Sequence, residues 1–174
     1  NNVYITGQTS SASGVASGGA YQPTRSGSND AFIAKFNAGG TNFWSTYYGG
    51  SAQEEAFGIA VDPSLNVIIT GQTSSVIVMA TTGAHQTALS GTNDAFIAKF
   101  TTTGLRTWST YYGGTGLEQG SAVACNALGE IVIAGNTTSA TGMATSKAYQ
   151  TSYAGTQDAF ISYFTAGGGL VWST

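Results

Sequence analysis

The chain has 174 residues, with 5 Lys+Arg against 8 Asp+Glu, a formal net charge of −3 and only 7% charged residues. Five dispersed cations cannot build the basic stripe that neutralises phosphates, which excludes a nucleic-acid binder. A hydrophobic share of 41% supplies a core and argues against disorder, while the longest aliphatic run, Val76-Ile77-Val78-Met79-Ala80, is far short of the ~20 residues of a membrane helix.

The chain opens directly on a strand pattern, Val3-Tyr4-Ile5-Thr6-Gly7-Gln8-Thr9-Ser10, with no signal-peptide pattern before it. A long polar loop, from about Gln8 to Asn29, leads to a second strand, Asp30-Ala31-Phe32-Ile33-Ala34-Lys35-Phe36. A third follows at Trp44-Ser45-Thr46 and runs into Tyr47-Tyr48-Gly49-Gly50. Next comes Phe57-Gly58-Ile59-Ala60-Val61, in which larger apolar residues alternate with Gly or Ala, as suits a strand facing a crowded backbone. Asp62-Pro63-Ser64-Leu65-Asn66 is rich in turn formers.

From there the text repeats. Val67-Ile68-Ile69-Thr70-Gly71-Gln72-Thr73-Ser74 echoes the opening, and Ile131-Val132-Ile133-Ala134-Gly135-Asn136-Thr137-Thr138 echoes it again. Asp30 to Phe36 returns unchanged as Asp94 to Phe100, then drifted as Asp158 to Phe164. Trp44-Ser45-Thr46 returns at Trp108 and at Trp172. Every step is 64 residues, without insertion or deletion. Ser121-Ala122-Val123-Ala124-Cys125 matches the Phe57 strand. In the third strand of the period, Phe96, Ala98 and Phe100 share one face, and Ala95, Ile97 and Lys99 the other. No segment carries a sustained helical period, and 25 glycines argue against long helices.

Four antiparallel strands per period, in tandem, predict an all-β chain built of β-propeller blades. A small twisted sheet buries both faces only by stacking on neighbours, so Trp44, Trp108 and Trp172, with Phe32, Tyr48 and their repeats, are expected between blades. The blades are 1–50 (lacking its first strand), 51–114 and 115–174, giving 11 strands in all. Seven such blades would need on the order of 450 residues, so the expectation is a partial propeller. The remaining blades of the same protein, or neighbouring copies, would then cover its ends.

These motifs resemble the SBBP repeat, the seven-bladed β-propeller repeat of bacterial surface proteins. The resemblance rests on Gly58-Ile59-Ala60-Val61-Asp62, the Val67 to Ser74 segment, Gly83-Ala84-His85-Gln86, Asp94 to Phe100 and Trp108-Ser109-Thr110-Tyr111-Tyr112-Gly113-Gly114. The strand pair from Gly58 to Gly71 is also similar to the NHL repeat. The resemblance implies a secreted or cell-surface protein, often exported by type IX secretion in the Bacteroidota, and no single activity. Tyr163 in place of the Lys, and Ser121 in place of the Phe, depart from the pattern.

Chemistry is sparse. Cys125 is the single cysteine and reads as a small hydrophobe; with His85 the single imidazole, a Cys/His zinc site cannot be assembled. Asp30, Asp94 and Asp158 recur once per period, each placed to accept backbone N–H groups of the preceding loop, which makes them structural. Glu54-Glu55 reads as a solvated turn; no cofactor is expected, and a weak Ca²⁺ contact there is left open. His85 occupies the slot of Tyr21 and Tyr149, so a packed ring explains it better than a general base. Lys35 and Lys99 are expected to snorkel to solvent. The long loops are where function is expected. The middle one alone carries the apolar Val76-Ile77-Val78 and, with Tyr21, His85 and Tyr149, forms the candidate partner contact. The expected function is a non-enzymatic extracellular module, serving as scaffold or binding surface for proteins or glycans, involved in adhesion. The alternatives are a filament or stalk component, or the propeller part of a secreted hydrolase or lyase whose site lies in further blades.

Overall fold

In a computed structural model, which describes residues 2–76 and 79–174, eleven strands form three antiparallel sheets. Sheet I is β1 (Asn2–Thr9), β2 (Asp30–Asn37) and β3 (Asn42–Tyr48). Sheet II is β4 (Glu54–Val61), β5 (Val67–Thr73), β6 (Asp94–Phe100) and β7 (Arg106–Tyr112), paired in that order. Sheet III repeats it with β8 (Glu118–Cys125), β9 (Ile131–Thr137), β10 (Asp158–Phe164) and β11 (Leu170–Ser173). Among the described residues there is no helix.

Register repeats as faithfully as sequence. Gly7 pairs with Phe32, Gly71 with Phe96 and Gly135 with Phe160. The glycine is needed because a Cβ at Gly71 would stand 1.8 Å from the Glu55 carbonyl oxygen. The register also slips at equivalent places, between Ala56 and Gly58 and between Gly120 and Ala122. The residues bulged there, Phe57 and Ser121, both turn to solvent, which explains why the position tolerates either.

The two faces of β6 separate as strand alternation dictates. Phe96, Ala98 and Phe100 join Val67 and Ile69 against Ala31, Ile33, Trp44 and Tyr48 of sheet I. Ala95 and Ile97, with Ile68 and Tyr112, pack against Ile131, Ile133, Phe160 and Phe164 of sheet III. Sheet II is therefore buried on both faces, and its seven β6 residues are all buried, Lys99 included.

That lysine corrects the snorkelling expectation. Lys99 Nζ lies 2.8 Å from Asp62 Oδ2 and donates to the Ala166 carbonyl of sheet III at 3.3 Å. Burial alone would raise Asp62, but hydrogen bonds from Lys99 and Asn66 hold its carboxyl below the usual range. In sheet III the set is exchanged as a unit: Asn126, Glu130 and Tyr163 stand where Asp62, Asn66 and Lys99 stand, and the Tyr163 hydroxyl donates to Glu130. The cation leaves and the acid moves to the Asn66 position, where Glu130 accepts from Asn126 and Tyr163.

Candidate binding surface and sheet junctions

Each junction between sheets is closed by the same clip. Trp44 Nε1 and Lys35 Nζ of sheet I both donate to the Thr102 carbonyl in the β6–β7 turn, at 2.9 and 3.1 Å. Trp108 Nε1 and Lys99 Nζ of sheet II donate to the Ala166 carbonyl in the matching turn of sheet III, at 3.2 and 3.3 Å. A glycine lies under each indole: a Cβ at Gly104 would come within 2.7 Å of the Trp44 ring, and one at Gly168 within 2.8 Å of Trp108. Both glycines have φ near +85°, which L side chains rarely adopt, so the turn and the close approach demand the same residue.

The loops add a second lock. Tyr21 reaches from the first long loop onto Phe100 of sheet II, edge-on with centroids 6.0 Å apart, and the Arg106 guanidinium lies 4.9 Å from its ring centroid. His85 makes the equivalent reach onto Phe164 of sheet III, centroids 6.0 Å apart, and lies beside Tyr112. Partial burial of the ring against these neighbours pushes its imidazole below the ordinary value, while the rest of the side chain faces solvent. Tyr48 and Tyr112 complete the seam: each packs on two phenylalanines of the next sheet and donates its hydroxyl to a loop carbonyl, Met79 or Met143, at 2.9 Å.

The repeated aspartates organise the loops from below. Asp30 accepts from the N–H groups of Ser26 and Gly27 and from Gln22 Nε2, and Asp94 accepts from Ser90, Gly91 and Gln86 in the same way. Asp158 accepts from Ala154 N and Gln150 Nε2.

Glu54 overturns the solvated-turn reading. It opens β4, fully buried, and accepts from the hydroxyls of Thr73 and Ser75 and from Gly50 N–H at 2.6–2.7 Å. Glu118 does the same with Thr137, Ser139 and Gly114. Only Glu55 lies nearer the surface, accepting from Gln53 and Gln72. Sequence reasoning missed the burial because a Gly-Gly turn precedes each acid. The signal was available: Gly50, Glu54, Thr73 and Ser75 all return 64 residues on as Gly114, Glu118, Thr137 and Ser139.

Each buried glutamate stands beside the aspartate of the preceding repeat. A Cβ on Gly49 would fall 2.5 Å from both the Asp30 and Glu54 carboxylates, and one on Gly113 2.6 Å from Asp94 and Glu118. Burial, reinforced by the neighbouring acid, pushes Glu54 and Asp94 above the ordinary carboxylate range. A carboxyl raised in the folded state binds its proton more tightly there than in the unfolded chain. Its contribution to stability therefore falls as pH rises from the unfolded to the folded value. Asp62 has the opposite sign, its contribution being lost as pH falls through its lowered folded value. We expect the melting temperature to rise as pH drops from neutrality toward the ordinary carboxylate range, as Glu54 and Asp94 take up protons in the folded state, and to fall below that range, where Asp62 protonates. Thermal unfolding followed by circular dichroism across that interval checks this; a steady decline from neutral pH would contradict it.

Of the candidate contacts, Tyr21 and His85 are engaged by the chain's own next sheet, whereas Tyr149, on the last sheet, is 99% exposed. Val76 is 62% exposed, while Met79, three residues on, is buried at the seam between sheets I and II. Ile77 and Val78 lie outside the described residues. The patch is thus split: its described start faces solvent and its end is core. No family model matches the chain, and no curated protein matches it.

Proposed function

We propose that the chain is a non-enzymatic β-propeller repeat module of a secreted or bacterial cell-surface protein, presenting its long loops as a binding surface for proteins or glycans. The carrying observation is the contrast between the middle loop and everything that recurs. Trp44, Trp108, Tyr48, Tyr112 and the buried Glu54 and Glu118 are engaged in sheets and junctions, while Val76, among the described residues of that loop, places a branched aliphatic side chain in solvent. Repeated buried carboxylates fit a scaffold, since a catalytic group is needed once and accessible. A surface poor in charge and rich in Ser, Thr, Asn and Gln suits hydrogen-bonded recognition more than electrostatic steering. The propeller reading is supported by two successive junctions built from equivalent residues, which is what rotation about one centre produces.

The test is binding to an array of neutral glycans and to an array of purified glycoproteins. Val76→Ser is expected to reduce any signal at least about tenfold while changing stability by no more than about 0.5 kcal/mol, the usual range for an exposed position. No binding on either array would overturn the recognition role and leave the stalk or filament reading, which the exposed outer faces of sheets I and III favour.

A further inference from the structure

We propose that the chain associates head-to-tail with a second copy of itself, the outer face of sheet III seating on the outer face of sheet I. This goes beyond the loop-recognition reading and does not depend on it. The outer face of sheet III is the donor half of a junction that the chain already makes twice, with Tyr163 in place of the lysine, and the outer face of sheet I is the acceptor half without the first strand that β4 and β8 supply there.

The half on sheet III is the donor side. Trp172 stands where Trp44 and Trp108 stand, yet it is 43% exposed against 8% for Trp44. Its ring stacks on Tyr163, centroids 5.8 Å apart and 21° between planes, which holds the indole in place. Ile161, the equivalent of the fully buried Ile33 and Ile97, is exposed. Tyr149 projects freely where Tyr21 and His85 find a phenylalanine.

The half on sheet I is the acceptor side. Gly40 has the φ of +84° that Gly104 and Gly168 have under their indoles, but nothing lies within 4 Å of the position its Cβ would take. The carbonyl of Ala38 is the equivalent of Thr102 and Ala166, the two that accept from tryptophan. Phe36 is the counterpart of Phe100 and Phe164, the two residues covered by loop rings. Ile5 is 42% exposed where its counterparts Ile69 and Ile133 are fully buried.

Superposing the existing junction on these halves puts Trp172 over Gly40, Tyr149 against Phe36 and Ile161 beside Ile5. The junction is continuous with the two already formed, which is why a second copy is the occupant that fits. It is also heterologous, one face meeting a different face, so it generates a ring or an open chain rather than a closed two-fold pair.

Sedimentation velocity over a range of concentrations tests this. Wild-type protein is expected to form dimers and larger species as concentration rises. Ile161→Lys (donor face blocked) and Ile5→Lys (acceptor face blocked) should each be monomeric alone. Mixed together they should form 1:1 dimers and nothing larger, because each retains the half the other lacks. Both positions are exposed, so the melting temperatures of the variants at dilute concentration should match wild type, which separates loss of association from loss of fold. A wild-type monomer at all concentrations overturns the proposal. So does a variant that still self-associates, since that would show like faces pairing, as does aggregation that persists in both variants.

Discussion

Replacing Glu118 by Ala is expected to lower the unfolding free energy by at least about 3 kcal/mol, because three buried donors lose their acceptor at once and each costs roughly 1–3 kcal/mol. The hydroxyls of Thr137 and Ser139 and the N–H of Gly114 converge on this one carboxylate at 2.6–2.8 Å. Together they tie the start of β8 to the end of β9 and to the turn leaving sheet II. Glu54→Ala should behave alike, since Thr73, Ser75 and Gly50 converge on it in the same way. Gln at either position keeps an acceptor for the hydroxyls but turns an amide N–H toward the glycine N–H, so its cost should fall between wild type and Ala. A domain is stable by only about 5–15 kcal/mol, so the double Ala variant should not fold. Urea unfolding of the single variants decides the matter: a loss below about 0.5 kcal/mol is what an exposed turn residue would give, and would refute the buried-carboxylate account.

The second large effect is a contrast between two identical substitutions. Trp44→Ala should cost about 3–5 kcal/mol, the range for truncating a buried Trp, because its ring is packed on Gly104 and its Nε1 is bonded to Thr102 O. Trp172→Ala should cost about 1 kcal/mol or less when measured dilute, because much of its ring already meets water and the area removed from it is small. The residues are the same and sit at the same place in the repeat; a following sheet lies over Trp44, whereas Trp172 has only its strand neighbour Tyr163 stacked beside it. Equal costs would mean that cohesion comes from within each sheet and not from the junctions.

Much of this architecture was legible from period and alternation. The 64-residue step placed the strands, and the pattern Phe96, Ala98, Phe100 against Ala95, Ile97, Lys99 assigned the two faces of β6 correctly. The expected grouping of three, four and four strands is that of the three sheets. Alternation says which face a side chain takes, however, and not which sheet will lie opposite. That is why Tyr21 and His85, read as part of a candidate partner contact, proved to reach the chain's own neighbouring sheet. Lys99 was misjudged for a related reason. A lysine near a strand end ordinarily finds water, and only the three-dimensional approach of Asp62 and the Ala166 carbonyl supplies it with buried partners. The burial of Glu54 depended on residues up to 21 positions away, Thr73 and Ser75, whose hydroxyls carry no local pattern of their own. The loop candidates were legible only as a contrast between copies, and the described ones that remain largely exposed include Val76 and Tyr149.

The central claim is that the three sheets are successive blades about one axis, and an experimental structure of this chain tests it through the rotations relating them. The account predicts that the operation carrying sheet I onto β5–β7 of sheet II and that carrying sheet II onto sheet III share one axis and one angle, between about 45° and 90° for a ring of four to eight blades. Two operations about unrelated axes, or a plain translation from each sheet to the next, would contradict it.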